Sequence, residues 1–166
     1  EPDGLWPVTP DERQHVRRSI YLFNKRNVRL PMLEALDQPD TLNSCAVRPV
    51  STFAPQALIL MNGPFAREQG KALAIVVVRE AGPDAGRQVE ALYRRAFGRP
   101  PRAAEMAAAK PFLVEQADTI RDRLRARQPV GLDPAKLPEG ADLATVRALA
   151  DLCVVVFNTH EFVYIP

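Results

Sequence analysis

Seven polar side chains in the first part of the chain have types that could do chemistry together. They combine guanidinium, phenol, carboxylate and amide groups: Arg18, Tyr21, Arg26, Asp37, Arg48, Gln56 and Asn62. An arginine offers five N–H donors in a fixed plane, so such a set predicts a pocket for an anionic or hydroxyl-rich ligand. The alternative is an internal clamp, in which Arg18 and Arg48 pair with Asp37. Gln56 and Asn62 would then bond to backbone groups of the connecting loop. The clamp is favoured, because paired charges often have a structural role.

Other chemistries lack the residues or the spacing that they need. Haem attachment requires a Cys-x-x-Cys-His segment, which the two cysteines cannot supply. A zinc or iron site needs several converging ligands, and no pair among the histidines and cysteines has that spacing. The same scarcity argues against a Cys-His or Ser-His nucleophile, and no glycine-rich phosphate loop is present. We therefore expect no cofactor, no metal and no catalytic residue, which argues against an enzymatic role for this chain alone.

Cys45 and Cys153 leave two interpretations open. They could form one long-range disulfide, because separation along the chain does not exclude contact in the fold. They could instead be two buried thiols that act as small apolar groups, and this interpretation is slightly favoured.

Length and charge limit the class of protein. A chain of 166 residues predicts a single helical domain over residues 1–166. The first fifty residues carry seven basic and seven acidic side chains, so no segregated basic face for nucleic acid is expected. No apolar run approaches the roughly 18 residues of a membrane span. The chain begins with Glu1 rather than Met, which suggests a processed or excised piece of a longer protein.

The first part of the chain has helix signals and one irregular stretch. Thr9, Pro10 and Glu12 match a helix start, which predicts a helix from Thr9 to about Arg26. A short strand over residues 19–23 is the alternative, and Pro31 predicts another short helix. Residues 37–40 are typical of a turn. They open a polar, proline-punctuated segment, so we expect one long ordered irregular loop over residues 37–55.

The remainder predicts amphipathic helices separated by glycine and proline. Their predicted ranges are about 54–61, 65–82, 89–97, 103–128 and 142–158. Pro111 should kink the fourth of these helices or divide it. The last helix is apolar on nearly all sides and should be central, and the apolar tail after it should dock. The fold class is therefore mainly α, a compact bundle of about five or six helices.

Several segments also form a pattern that resembles a known family. In chain order they are Arg17–Tyr21, Asp37–Asp40, Cys45–Arg48, Pro55–Leu58, Leu60–Asn62, Phe97–Pro101, Leu152–Asn158 and Glu161–Phe162. The ordered set resembles the C-terminal part of the planctomycete PSD family, domain of unknown function 1553, over nearly the whole chain. The chain departs from the family pattern at Arg102, where a Thr or Ser cap is usual, and at Thr159-His160, where Ser-Asn is usual.

The resemblance implies a kind of parent protein and a location, and it implies no activity. Family members are large secreted bacterial proteins in which this domain often follows a cytochrome-c-like module and another uncharacterised domain. The implied location is secreted, periplasmic or at the cell surface, and the implied partners are other domains of the parent protein.

Two functions stay open. The first is a non-catalytic helical accessory module that contacts other domains or a partner. The second is part of an enzyme or binding site for an extracellular glycan or other acidic ligand. A weaker third idea is a docking surface for a redox module, steered by the arginines of Arg121–Arg127 at the end of the predicted 103–128 helix.

Overall fold

A computed structural model describes residues 9–11, 13–14, 17–25, 29–39, 42–47 and 54–164. Within these ranges the regular structure is helical and no strand occurs, which confirms the mainly α fold class. The chain divides into two compact units, Glu1–Ser51 and Thr52–Pro166. The single domain over residues 1–166 stays a prediction.

The described residues of the first unit contain one short α-helix, α1, over Pro31–Ala35, with the proline at its first position as predicted. The helix predicted from Thr9 to Arg26 is wrong, because Ser19–Tyr21 form a 3₁₀ turn and residues 22–24 are not helical. The alternative strand over residues 19–23 is wrong for the same reason. Ile20 and Phe23 are 81% and 75% exposed, so this apolar segment buries too little surface to stabilise a helix.

The irregular loop predicted over residues 37–55 is described in part. Asp37 has a left-handed backbone with φ of 60°, a conformation that aspartate adopts more readily than most residues. Residues 42–47 form neither helix nor strand, and the last two positions of the range already belong to a helix. Residues 40–41 and 48–53 lie outside the described residues.

The second unit is a bundle in which the structure describes six helices. They are α2 (Ala54–Asn62), α3 (Pro64–Ala81), α4 (Ala85–Phe97), α5 (Ala103–Arg125), α6 (Leu143–Phe157) and α7 (His160–Val163). Their ends follow local capping chemistry. The side chain of Asp84 accepts a hydrogen bond from the Arg87 amide at 2.8 Å at the start of α4, and Asp142 accepts one from Thr145 at the start of α6. Gly98 ends α4 in the left-handed conformation.

The helix α6 lies at the centre of the bundle, as its apolar pattern predicts. Eight of its 15 residues are buried. It packs mainly against α3 and α5, and also contacts α2, α4 and α7.

Pro111 does not divide α5, so the expected division is wrong, and the kink that was its alternative stays a prediction. The helix runs continuously from Ala103 to Arg125 with the proline inside it. Pro111 and Ala107 are both exposed, so the Ala107 carbonyl, which loses its helical donor, can be hydrated instead.

Gly70 sets the close approach of α3 to α6. A Cβ atom at this position would lie 2.8 Å from Cγ2 of Val154 and 3.0 Å from the carbonyl oxygen of Ala150. The side chain of Val154 could turn away, but the carbonyl could move only with the backbone of α6. The absence of a side chain at Gly70 therefore allows the central packing contact.

Replacing Gly70 with Ala should lower the free energy of unfolding by about 1 kcal/mol. Steric overlap at Ala150 should outweigh the gain that alanine normally gives inside a helix. Urea unfolding at equilibrium measures the change. The control is Gln69→Ala, at the preceding exposed position, which should change stability by no more than about 0.5 kcal/mol. A Gly70→Ala protein more stable than the parent would contradict the packing argument.

Candidate interaction surface

The helix α2 carries large apolar side chains that remain exposed. Leu58 is 53% exposed and Met61 is 51% exposed, and their spacing of three residues places them on one side of the helix. Phe65, in the first turn of α3, is 56% exposed. We call these three side chains the α2 face.

The composition of α2 is unusual for a surface helix. Its sequence, APQALILMN, contains no charged residue. None of its described side chains, over residues 55–62, is buried. A surface helix normally pairs a buried apolar stripe with a charged outer side, and α2 has neither. Single exposed apolar side chains are common, whereas apolar side chains grouped on an uncharged helix are typical of an interaction site.

The junction at Gly63 positions the α2 face. Gly63 has extended backbone angles, φ −62° and ψ 140°, and Pro64 starts α3 directly after it. The Gly63 amide donates to the carbonyl of Ile59 at 2.9 Å. A Cβ atom on Gly63 would collide with that carbonyl oxygen, so glycine permits the tight turn. Because α2 also packs against α3 and α6, the exposed side chains are held on a fixed element.

The first unit has a cavity of its own, with both polar and apolar side chains in its lining. Its volume is about 220 Å³, and its lining comprises Ser19, Ile20, Leu22, Phe23, Asn24, Leu30, Leu33 and Gln38. Oε1 of Gln38 is buried there and has no hydrogen-bond partner among the described residues. The segment that the sequence analysis predicted as a helix therefore presents apolar side chains around a pocket.

The predicted polar cluster is only partly described. Arg26 and Arg48 lie outside the described residues. Arg18 precedes the 3₁₀ turn, and both Arg18 and Tyr21 are exposed. Arg18 forms no ion pair with a carboxylate of the described residues, so the Arg18–Asp37 pair of the expected clamp is not formed.

The other two members of the cluster lie on α2. Gln56 is half-buried, and Asn62 is exposed at the last position of the helix. The convergence of all seven polar residues on one ligand or one clamp stays a prediction.

A clamp does exist in the second unit, around Arg99, which the sequence analysis did not select. The guanidinium donates to both oxygens of Glu105 at 2.7 and 2.8 Å and to both oxygens of Glu161 at 2.6 and 2.7 Å. It also donates to the carbonyl of Pro100 at 3.0 Å, so all five donors are used. Because none remains for a ligand, we assign Arg99 a structural role.

Aromatic rings complete this clamp. The Arg99 guanidinium carbon lies 5.7 Å from the ring centre of Tyr93 and 5.3 Å from that of Phe97. Phe162 of α7 packs against Phe97 and Phe157, with ring centres 6.5 and 5.0 Å apart. Docking of the tail is therefore confirmed over its described residues. Glu161 is 62 positions from Arg99, and no local spacing predicts that pair.

The clamp also changes the acidity of its carboxyl groups. Hydrogen bonds from Arg99 are the main cause that lowers the pKa of Glu105 to about 2, and partial burial opposes them. The Arg102 amide, which donates to the same carboxylate at 2.5 Å, lowers this pKa further and helps to cap α5. The same guanidinium lowers the pKa of Glu161.

Replacing Glu105 with Gln should lower the free energy of unfolding by about 1 kcal/mol at neutral pH. The pKa of Glu105 is lower in the folded state than in the unfolded chain. Its stabilising effect is therefore complete above the unfolded value of 4.5 and is lost as the pH falls toward about 2. Urea unfolding of both proteins, at neutral pH and between those two values, should show the difference shrinking in acid. A difference independent of pH would contradict this assignment.

The two cysteines differ in environment and are both free thiols. Cys45 is exposed, and its Sγ donates to the carbonyl of Val47 at 3.2 Å. Cys153 is fully buried in α6, and burial raises the pKa of its thiol. The disulfide considered from the sequence is not formed, and the expectation of two buried thiols is wrong for Cys45.

Alkylation should distinguish the two thiols. We expect Cys45 to react with iodoacetamide in the folded protein, whereas Cys153 reacts only after denaturation, because it is inaccessible and protonated. Mass spectrometry of digested protein locates the label, with Cys45→Ser as the control that removes the fast reaction. If neither thiol reacts in denaturant until a reductant is added, the cysteines are bridged.

The described residues contain neither a metal-binding cluster nor a membrane-spanning helix. No group of three or more histidine, cysteine, aspartate or glutamate side chains there is arranged to hold a metal ion. None of the described helices is long and apolar enough to cross a membrane.

One protein family matches the chain. The family PSD1, described as "Protein of unknown function (DUF1553)", matches residues 5–113, which is more than half of the sequence. The matched range ends within α5, so it includes Phe97–Pro101 and excludes the similar segments in α6 and α7. No curated protein and no solved structure is significantly similar to the chain. The chain therefore belongs to the PSD1 family of proteins of unknown function.

Proposed function

We propose that this chain is a non-catalytic helical accessory module that binds another protein domain through the α2 face. The observation that carries the proposal is an apolar helix with no charged residue and no buried side chain among those described. An apolar surface of this kind is stabilised when a partner removes it from water.

The occupant that we propose is another domain of the same parent protein. The resemblance to the PSD family implies large multidomain proteins, which supports a neighbour in the same chain. Secretion, and a location near a cytochrome-c-like module, are parts of the same proposal.

The strength of the contact also favours a partner in the same chain. Leu58, Met61 and Phe65 are each about half exposed. Covering that remaining surface contributes on the order of 1 kcal/mol for each side chain. The total free energy from the three side chains is too small for tight association between separate molecules. It is enough to dock a tethered domain, whose effective concentration is high.

Hydrogen exchange can test this proposal on the full-length parent protein. Peptides covering residues 55–65 should exchange more slowly in the parent protein than in the isolated 166-residue chain, because docking protects the backbone of α2. The double variant Leu58→Asp and Met61→Asp should lose that protection. The matched control is Val114→Asp on α5, which changes a side chain that is 62% exposed and lies outside the α2 face.

Equal exchange of α2 in the chain and in the parent protein would show that no domain covers this face. Protection that appears only when lipid vesicles are added would assign the face to a membrane surface and would also overturn the proposal. Loss of protection with Val114→Asp as well would mean that the effect is not specific to the α2 face.

A further inference from the structure

A cationic groove lies in the second unit between α3, α5 and α6, beside the connection that follows α5. Its volume is about 350 Å³. Arg67 and Lys71 line it from α3, Arg123 from α5, and Arg147 with Asp151 from α6. Four cations and one carboxylate therefore surround the same space. We call this feature the cationic groove.

One side of the groove is held by a hydrogen-bond network. Nε of Arg147 donates to the carbonyl of Val130 at 2.8 Å, and its Nη1 donates to Asp151. The amide of Gln116 donates to the other oxygen of Asp151 at 2.8 Å. Asp151 is thus neutralised by Arg147 and cannot balance the remaining cations.

Two of the four cations have no internal partner among the described residues. Arg67 and Arg123 form no side-chain hydrogen bond or ion pair in the described parts of the chain. Lys71 pairs with Glu68 at 2.6 Å, and that glutamate side chain is 67% exposed. Asp151 and Glu68 pair with Arg147 and Lys71, so Arg67 and Arg123 remain as like charges at one cavity, and a bound anion would relieve their repulsion.

The neighbouring arginines at the end of α5 show that this arrangement is local. Arg121 pairs with Asp118 at 2.7 Å and with Asp142 at 3.0 Å, and Arg125 pairs with Asp122 at 2.9 Å. Arg123 lies between them in the sequence and projects into the groove lining instead. This pairing leaves Arg123 and Arg127 as the cations of that run without a partner among the described residues, so less charge remains for the redox-docking idea.

The connection after α5 closes the groove at Gly131. This residue has φ of 66°, a left-handed conformation that glycine adopts without strain. A Cβ atom on it would lie 3.8 Å from Nζ of Lys71, so the backbone passes close to that ammonium group. The Arg147–Val130 hydrogen bond holds the loop against one cation of the lining, and Gly131 lies near a second.

We propose that the cationic groove binds a small oxyanion that carries two or more negative charges, of the phosphate or carboxylate type. Guanidinium groups match the planar or tetrahedral oxygen arrays of such anions through paired hydrogen bonds. The cavity falls within the usual size range of small-molecule sites. This site uses none of the residues of the α2 face. Failure of the proposed docking function would therefore not contradict anion binding in the groove, and the reverse also holds.

Calorimetric titration of the 166-residue chain with inorganic pyrophosphate, and separately with citrate, tests the proposal. We expect saturable binding of at least one of them, weakened by added sodium chloride. Arg67→Gln and Arg123→Gln should each weaken that binding by about tenfold, because each removes a charged donor. Neither side chain has an internal partner, so neither variant should disturb the fold. Circular dichroism and thermal unfolding check this.

Arg87→Gln is the matched control. Arg87 lies near the start of α4, is exposed, and does not line the groove. Its replacement removes the same charge from the protein and should leave binding within about twofold of the parent.

Binding of pyrophosphate alone would support a phosphate-type ligand, binding of citrate alone a carboxylate-type ligand, and binding of both a site that tolerates either shape. Absence of saturable binding for both anions would overturn the proposal. Equal weakening by all three variants would also overturn it, because the attraction would then depend on net charge rather than on the groove.

Discussion

The burial of α6 is the constraint on which the second unit depends. Its buried side chains include Leu149, Leu152 and Val156, and they are covered chiefly by α3 and α5. Such a helix gains most of its stability from burying apolar surface and little from its own propensity. Close contact with α3 requires Gly70, where even a methyl group would meet the backbone of α6. The remaining helices are arranged around this contact.

Ion pairs hold elements that the apolar core does not reach. Arg99 joins the loop after α4 to Glu105 in α5 and to Glu161 in α7, so one side chain orders three segments. Arg147 performs a comparable task where it bonds to the carbonyl of Val130 after α5. In both cases the guanidinium is occupied by internal partners, and its geometry is thereby fixed. Arg99 and Arg147 therefore position the segments they bond to, whereas Arg67 and Arg123 have no internal partner in the part of the chain that the structure describes.

In residues 54–164 two surfaces stand out after the internal bonds have been assigned, and they differ in physical character. The α2 face is apolar and uncharged, so the docking proposed for it would be driven by removal from water. The cationic groove is lined by charged side chains, so the anion binding proposed for it would rest on charge-assisted hydrogen bonds. The first suits a neighbouring domain and the second a small anion. One module can carry both, because the two surfaces share no residue.

The sequence by itself determined most of the bundle. Apolar spacing located α3 to α6, because it depends only on residues close in the sequence. It placed the start of α4 near residue 89 and missed the first turn, which Asp84 caps. Apolar spacing failed at Ile20 to Phe23, because a helical pattern forms a helix only where a core covers its apolar side. Tertiary structure alone decided that α2 stays exposed, that Arg99 meets Glu161, and that Arg67 and Arg123 line one groove. These contacts join residues far apart in the chain, and the packing of helices, rather than any local spacing, brings such residues together.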